Sequence, residues 1–280
     1  MIVSLSLGLL AALCWGVHDI FVRYVSQTNG MLASIFTVLT IGSIIMAPVC
    51  IYLGNWPDLT TIALQKALVS GTFFGLALIA LYQAFAIGPV RLVSPIVGSF
   101  PIMSVGLSLW SGQSLELFQI LAVLIVVGGI TLVAKGENTT TSEKRLVAIL
   151  WAVSAAFAFF ISFAYGQSAT ADGAELPIIW VSRLPAIFII CVIALLFRAS
   201  LRPKLSQIPL LSVMGLLDGV ALAVVLYAGT QAFAAFATVT ASIFGLITII
   251  LAWAFLGEKM TNLQWLGVGM VFSAIAYLAL

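Results

Sequence analysis

The chain has 280 residues, of which 63% are apolar and only 7% are charged. A soluble domain usually carries about 25% charged residues, so this composition excludes an ordinary water-exposed globular protein. The net charge of +2 gives no indication of a nucleic-acid partner, and none is expected. Apolar segments near the roughly 20 residues needed to cross a hydrocarbon core recur along the chain. The expected surroundings are therefore a lipid bilayer.

These segments predict ten transmembrane helices. In chain order they cover residues 2–24, 31–53, 67–87, 92–111, 117–135, 146–168, 175–197, 208–230, 237–256 and 262–280. The breaks are short and carry turn-forming residues, as at Gly88-Pro89 and Leu256-Gly257-Glu258-Lys259. The first segment follows Met1 without a basic region or a cleavage site, so it is interpreted as a retained helix rather than a signal peptide.

The longest polar stretch divides the chain into a first five-helix repeat over residues 1–136, a linker over 137–145 and a second five-helix repeat over 146–280. Alignment of the first half of the sequence with the second half, at a shift of 145 residues, supports this division. It places Leu81-Tyr82 on Leu226-Tyr227, Gly112 on Gly257 and Gln119 on Gln264. Because five is odd, the second repeat enters the membrane from the opposite side. The predicted fold is an all-α integral membrane protein with ten transmembrane helices, built as two inverted repeats around a central cavity, as in many secondary transporters.

The distribution of Lys and Arg predicts the orientation. One side of the predicted membrane carries Arg23, Arg91, Lys135, Lys144, Arg145, Arg198, Arg202, Lys204 and Lys259. The other side carries Lys66. The positive-inside rule places the basic side in the cytoplasm, so both termini are expected outside a multi-pass protein of the cell inner membrane.

Charged residues inside apolar helices are the best indicators of a site, because a charge at the bilayer centre costs about 2.5 to 3.5 kcal/mol. Asp218 lies ten residues into its predicted helix, at a depth of about 15 Å. It is interpreted as a cavity carboxylate that binds a cationic group or carries a coupling proton, or as the ion-pair partner of Arg183. Arg183 is interpreted as a clamp for a substrate carboxylate or as a fixed partner of Asp218. Trp180, three residues earlier, shares its helical face and is a candidate to stack on it.

The first predicted helix carries a second polar group. Asp19 and Arg23 are four residues apart and can pair along one face, with His18 beside them. This trio is a candidate proton relay or gate, or a set of hydrogen-bonded residues at the helix end. His18 is the only histidine, and Cys14, Cys50 and Cys191 lie in different predicted helices, so no metal site and no cofactor are expected.

Aromatic and amide residues complete the set of candidates. Trp15, one turn before Asp19, is expected to line the cavity. Tyr82, Gln83 and Tyr227 are candidate hydrogen-bonding residues at opposite mouths, with the aromatic belt of the membrane interface as the alternative for Tyr227.

Two helix-breaking positions are candidate hinges. Pro101 falls within one residue of Gly245 under the 145-residue shift, so the two positions are predicted to be the flexible points of equivalent helices. Bending for packing alone is the alternative.

Several motifs together resemble the EamA-like branch of the drug/metabolite transporter superfamily over essentially the whole chain. They are Trp15-Gly16, the Leu256-Gly257-Glu258-Lys259 turn and the Gly-rich closing helix. The resemblance implies a ten-helix carrier that moves amino-acid-like or other charged small solutes through a central cavity. The first half departs from the pattern, since Ser111-Gly112-Gln113 replaces the Leu-Gly-Glu turn.

The predicted function is therefore transport of a small polar metabolite by alternating access, either proton-coupled or facilitative. One copy of the chain is expected to suffice, with a homodimer as the alternative. An intramembrane enzyme is disfavoured by the single histidine and the lack of a nucleophile motif. A channel is disfavoured because no ring of charges or filter sequence is present.

Overall fold

The computed structural model describes residues 2–28, 30–103, 117–135, 142–231 and 233–278. These residues are mostly helical, and no β-strand occurs among them. The end of the predicted fourth helix (104–111), the turn that contains Gly112 and most of the predicted linker lie outside the described residues.

The helices are numbered here in chain order. They are α1 Ile2–Thr28, α2 Met31–Leu53, α3 Thr61–Ile87, α4 Val90–Val97, α5 Leu117–Lys135, α6 Ser142–Ala171, α7 Glu175–Val181, α8 Arg183–Leu196, α9 Ile208–Tyr227, α10 Ala234–Ser242, α11 Phe244–Phe255 and α12 Asn262–Leu278. Short 3-10 turns cover Trp56–Asp58, Leu205–Gln207 and Ala228–Thr230.

Within the described part of the chain, seven helical segments are long and apolar enough to cross a membrane. They are Ile2–Gln27, Met31–Leu53, Thr61–Ile87, Ser142–Ala171, Glu175–Leu196, Leu205–Thr230 and Phe236–Phe255. Each coincides with one of the predicted transmembrane helices, although α3 and α6 begin six and four residues earlier than predicted. The protein is thus a multi-pass α-helical membrane protein.

Two of the predicted transmembrane helices are interrupted. The seventh consists of α7 and α8, which meet at Ser182, and the ninth consists of α10 and α11, which meet at Ile243. Pro185 has no N–H group to donate to the carbonyl four residues earlier, which accounts for the first interruption. The Ser182 carbonyl approaches α3 so closely that a Cβ on Gly71 would lie 1.8 Å from its oxygen.

Helices of the first half pack mainly on helices of the second half. Helix α1 contacts α9, α10 and α11, helix α3 contacts α6 and α8, and helix α2 contacts α7, α8 and α9. Small residues allow the close approaches: a Cβ on Gly42 of α2 would lie 2.5 Å from the carbonyl oxygen of Gly215 on α9. As a result, helices α1, α3, α6, α9 and α11 all border the centre of the bundle.

Candidate functional site

An ion pair lies at the centre of the bundle. Arg183 is the first residue of α8, and its Nη2 is 2.7 Å from Oδ2 of Asp218, ten residues into α9. Both side chains are fully buried. Arg183 Nε and Nη1 have no hydrogen-bond partner among the described residues. Such a pair is expensive to break, because removing one partner leaves the other charge buried without compensation.

Asp218 also contacts the first half of the chain. Its Oδ1 accepts a hydrogen bond of 3.4 Å from the indole Nε1–H of Trp15 on α1. The carboxylate therefore joins α1, α8 and α9 through its two oxygens. The sequence placed Trp15, Arg183 and Asp218 in one cavity, and the structure brings these three side chains together.

A second polar pair lies one turn further along α1. His18 Nδ1 is 3.2 Å from Asp19 Oδ1, and both residues are buried. Within the described part of the chain, Asp19 Oδ2 and His18 Nε2 have no hydrogen-bond partner. When a neutral His18 ring donates its Nδ1 proton to Asp19 Oδ1, both of these atoms are acceptors, and we call them the open acceptors. A buried polar atom without a partner carries a desolvation cost, which a bound ligand can remove.

The predicted pairing of Asp19 with Arg23 is wrong. Asp19 is hydrogen-bonded to His18, whereas Arg23 donates from Nη1 to the backbone carbonyl of Phe85 on α3. Arg23 lies one turn nearer the end of α1, where that carbonyl is within reach. Arg23 therefore joins α1 to α3 at the end of the bundle. The Asp19 carboxylate is not paired with it and lies at the centre.

A small void lies between the two polar pairs. Its described lining consists of Trp15, His18, Asp19, Leu78, Leu81, Phe159, Phe163, Asp218 and Phe244. The space open to the centre of a water-sized sphere is about 10 Å³, which is room for roughly one water molecule. In this conformation the void beside the two polar pairs is too small for a metabolite.

Aromatic rings form one wall of the void. The Trp15 ring stacks on Phe163 at a centroid distance of 5.3 Å. Phe163 also stacks on Phe159, at 5.5 Å. Phe244 meets Trp15 edge-on at 6.2 Å. Sequence reasoning missed the three phenylalanines, because an apolar ring in a membrane helix has no feature that distinguishes a cavity wall from a lipid-facing surface.

The two tyrosines related by the repeat have different environments. Tyr82 is completely buried and lies within electrostatic range of Asp19 and Asp218, and its hydroxyl has no hydrogen-bond partner among the described residues. Tyr227 is 42% exposed at the end of α9, as the aromatic-belt alternative predicted. Gln83 is half-buried and is not among the described residues that line the void. Tyr82 therefore lies inside the bundle rather than at a mouth, and the role of Tyr227 at the other mouth stays a prediction.

Trp180 contacts α2 and the α2–α3 connection. Its indole Nε1–H donates to the backbone carbonyl of Ser43 at 3.1 Å, and its ring meets Trp56 edge-on at 6.2 Å. Side chains on a helix lean toward its N-terminus, so Trp180 reaches toward the α2–α3 connection rather than back to Arg183. The predicted stacking of Trp180 on Arg183 is replaced by this contact.

The two candidate hinge positions lie at helix interruptions. Pro101 is the last residue of the turn that follows α4, and Gly245 is the second residue of α11. The two interruptions approach each other closely: a Cβ on Gly98 would lie 3.0 Å from the Ser242 carbonyl oxygen, and one on Gly245 would lie 2.7 Å from that of Ser94. Their role as hinges stays a prediction.

A contact between the two halves closes one end of the bundle. The Glu258 carboxylate accepts hydrogen bonds from the backbone N–H groups of Val90 (3.0 Å) and Arg91 (3.1 Å), in the first turn of α4. Arg91 Nη1 donates to the Lys259 carbonyl at 2.6 Å. We call this contact the Glu258 clasp and this end of the bundle the α3–α4 end. A carboxylate at a helix N-terminus is favoured by the helix dipole.

An ion pair joins the halves at the opposite end of the bundle, the α2–α3 end. Lys66 near the start of α3 is 2.6 Å from Asp172, which follows α6, and Lys66 also donates to Ser168 at 2.8 Å. Both charged side chains are partly exposed. Interactions between the halves are therefore present at both ends, with the small void between them.

Apolar membrane-length helices around a buried ion pair define a polytopic membrane protein whose two halves meet at a central charged site. Comparison with known proteins then gives the family: the chain belongs to the EamA-like transporter family, whose sequence profile matches residues 2–135 and 146–280.

A curated relative and a solved structure agree with this assignment at different levels. The chain is 26% identical over 181 residues to a protein of Latilactobacillus sakei subsp. sakei (strain 23K) named "Putative ribose uptake protein RbsU". That match spans 61% of this chain and 60% of the relative. A protein solved by crystallography superposes with a TM-score of 0.71 at 14% identity, over 99% of this chain and 97% of the other, which shows a shared fold. The family and the relative point to a transporter rather than an enzyme.

Proposed function

We propose that the protein is a secondary transporter that moves a small polar or charged metabolite by alternating access through the central void. The observation that carries this proposal is the pair of open acceptors beside the Arg183–Asp218 ion pair, between helices of both family repeats. Charged groups at this depth in a membrane bundle typically mark a substrate or ion pathway.

The proposed architecture is ten transmembrane helices in two inverted repeats. Helix contacts support it. The 145-residue shift relates α1 to α6, α2 to the α7–α8 pair and α3 to α9. Exchanging the repeats therefore turns the α3–α6 contact into α9–α1, and the α2–α9 contact into α8–α3, and all four contacts are present. The helix interruptions support it as well, since Gly98 plus 145 residues gives position 243, where α10 and α11 meet. One copy of the chain contains the whole candidate site, so we propose that a monomer suffices.

The closed void fits an occluded state of the transport cycle. The Glu258 clasp lies at the α3–α4 end and the Lys66–Asp172 ion pair at the α2–α3 end. We propose that each end opens in turn while the other stays closed. The basic side of the sequence coincides with the α3–α4 end, so this end is proposed to face the cytoplasm of the inner membrane, with both termini outside.

The substrate class has two candidates. Charges of both signs at the site favour an amino-acid-like or otherwise charged solute. The name of the curated relative, together with aromatic rings beside carboxylates, favours a sugar such as ribose as the second candidate.

Flux measurements test the proposal. The purified chain in liposomes is expected to move at least one labelled amine, amino acid or sugar unaltered across the membrane. Asp218→Asn is expected to slow this flux, because it removes a buried carboxylate from the site. The control is Asp58→Asn, which removes an exposed carboxylate in the α2–α3 connection.

Two results would contradict the proposal. Flux that is insensitive to substitution of both Asp218 and Arg183 would exclude the central site. Recovery of chemically altered substrate would support an intramembrane enzyme instead.

A further inference from the structure

We propose that the central void binds the ammonium group of a primary alkylamine, so that the transported solute is an amine without a carboxylate. This inference rests on the proposed function and names its substrate class. Four features of the void carry it: its uncompensated charge, its hydrogen-bond acceptors, its aromatic wall and its size.

One carboxylate at the void lies outside the central ion pair. The Asp218 carboxylate and the Arg183 guanidinium form an ion pair and cancel each other. Asp19 is fully buried, and it is hydrogen-bonded to the adjacent His18. With Asp19 ionised and His18 neutral, the void has a net negative charge, which a ligand cation compensates.

The open acceptors match the donors of a primary ammonium group. With Asp19 ionised, the ring of His18 donates from Nδ1–H to Asp19 Oδ1, which leaves the lone pair of the neutral ring on Nε2. Asp19 Oδ2 and His18 Nε2 then both accept. Asp218, which also lines the void, has lone pairs beyond those used by Trp15 and Arg183. These three acceptors correspond to the three N–H groups of an alkylammonium ion.

A carboxylate has no comparable place in the void. Arg183 is not among the described residues that line it, and the Nη2 of Arg183 is already bound to Asp218. The only hydrogen-bond donor groups of the described lining are the Trp15 indole, which points to Asp218, and the ring of His18. At the void itself, the carboxylate of an amino acid would thus meet two buried carboxylates. The unpaired Nε and Nη1 of Arg183 belong to a residue outside the described lining. A neutral sugar would leave an ionised Asp19 uncompensated.

The aromatic wall and the size of the void agree with an ammonium group. The rings of Trp15, Phe163 and Phe244 adjoin the carboxylates, and a cation near an aromatic face is attracted to the ring. The void holds about one water molecule, and an ammonium group has nearly the same size. The alkyl part of the ligand requires the rings or one end of the bundle to move.

Ligand pairs that differ in one group test this inference on the wild-type chain. Isopentylamine is leucine without its carboxylate, and the N,N,N-trimethyl derivative of isopentylamine keeps the charge but has no N–H donor. Dissociation constants are measured by calorimetry on the purified full-length protein in detergent, with D-ribose as the neutral probe. Isopentylamine is expected to bind at least about tenfold more tightly than leucine, the trimethyl derivative and ribose.

A substitution tests the position of the ammonium group. Asp19→Asn keeps the shape of the side chain and is expected to weaken isopentylamine binding at least about tenfold. Asp58→Asn is the control and is expected to leave binding unchanged, since Asp58 is an exposed residue of the α2–α3 connection. The ligand series alone decides the question if Asp19→Asn does not fold.

The outcomes separate this inference from the proposed function. The inference is overturned if leucine or ribose binds as tightly as isopentylamine or more tightly, or if isopentylamine does not bind. Flux of any of these solutes would still support the proposed transport function. Equal binding of the trimethyl derivative overturns the hydrogen-bonding assignment. Tight binding of isopentylamine without flux of any solute supports the amine site and overturns transport.

Discussion

At the residue scale, the Arg183–Asp218 ion pair depends on a glycine of another helix. Gly42 of α2 faces α8 and α9, where a Cβ would lie 2.8 Å from Arg183 Nη2 and 2.5 Å from the Gly215 carbonyl oxygen. Protein interiors are packed closely enough that such overlaps move backbone or break contacts. The lack of a side chain at position 42 therefore keeps the guanidinium within reach of Asp218.

Gly42→Ala is expected to destabilise the protein by about 1 to 3 kcal/mol, because the added methyl group meets backbone as well as Arg183. The measurement is the melting temperature of the purified protein in detergent, together with flux. Gly269→Ala is the matched control: position 269 lies on α12, and a Cβ there meets no described atom within 4 Å. A melting temperature that falls equally in both variants would show that the cost does not come from the Arg183 contact.

The same scale shows what the sequence could and could not predict about the site. Trp15, Asp19 and Asp218 were predictable because a charged or indole side chain inside an apolar helix requires a partner. The hydrogen-bond partner of Asp19 was not predictable. Asp19 is hydrogen-bonded to the adjacent His18, while Arg23 donates to the Phe85 carbonyl of helix α3. Phe163 and its neighbours were unpredictable, because nothing in an apolar run distinguishes a cavity wall.

At the element scale, the two ends of the bundle are closed by contacts of different strength. The Glu258 clasp uses two hydrogen bonds from the first turn of α4 to one carboxylate, and bonds to charged groups contribute about 1.5 to 3 kcal/mol each. Lys66 and Asp172 are partly exposed, and such ion pairs contribute about 0 to 1 kcal/mol. Opening the α3–α4 end is therefore expected to cost more than opening the α2–α3 end.

Glu258→Gln is expected to increase the population that is open at the α3–α4 end, because a neutral amide bonds the α4 N–H groups less strongly than a carboxylate. The measurement is the labelling rate of Ser94→Cys, a buried position on α4, in a background with the native cysteines replaced. We expect an increase of about threefold to tenfold.

Lys259→Gln is the control for this prediction. It removes a charge from the same turn but keeps the backbone carbonyl that accepts from Arg91. An equal labelling rate in the wild-type background and in Glu258→Gln would show that the clasp does not keep this end closed. The element scale was only partly predictable: the Leu256–Lys259 turn was recognised as a motif, but its bond to α4, 168 positions earlier in the chain, has no local signature.

At the scale of the whole molecule, the long helices were predictable because a membrane requires about 20 apolar residues of each of them. The interruption at Ser182 could be expected from Pro185, and the one at Ile243 lies two residues from the predicted flexible point Gly245. The close approaches that these interruptions make to other helices were not predictable. The alternation of the helices places the loop between α2 and α3 and the loop between α8 and α9 at opposite ends of the bundle. Orientation in the membrane then rests on the basic residues, which gather at the α3–α4 end.

Cysteine labelling in intact cells tests this orientation. Asn55 lies in the α2–α3 connection and Ser200 in the α8–α9 connection, and both are exposed polar residues. With the native cysteines replaced, Asn55→Cys is expected to react with a membrane-impermeant maleimide from outside, whereas Ser200→Cys is expected to react only after permeabilisation. The two variants are controls for each other, because each loop is exposed on one side. The reverse pattern would place the basic end outside and would assign the Glu258 clasp to the outer mouth. Labelling of both variants in intact cells would contradict an alternating arrangement of these helices.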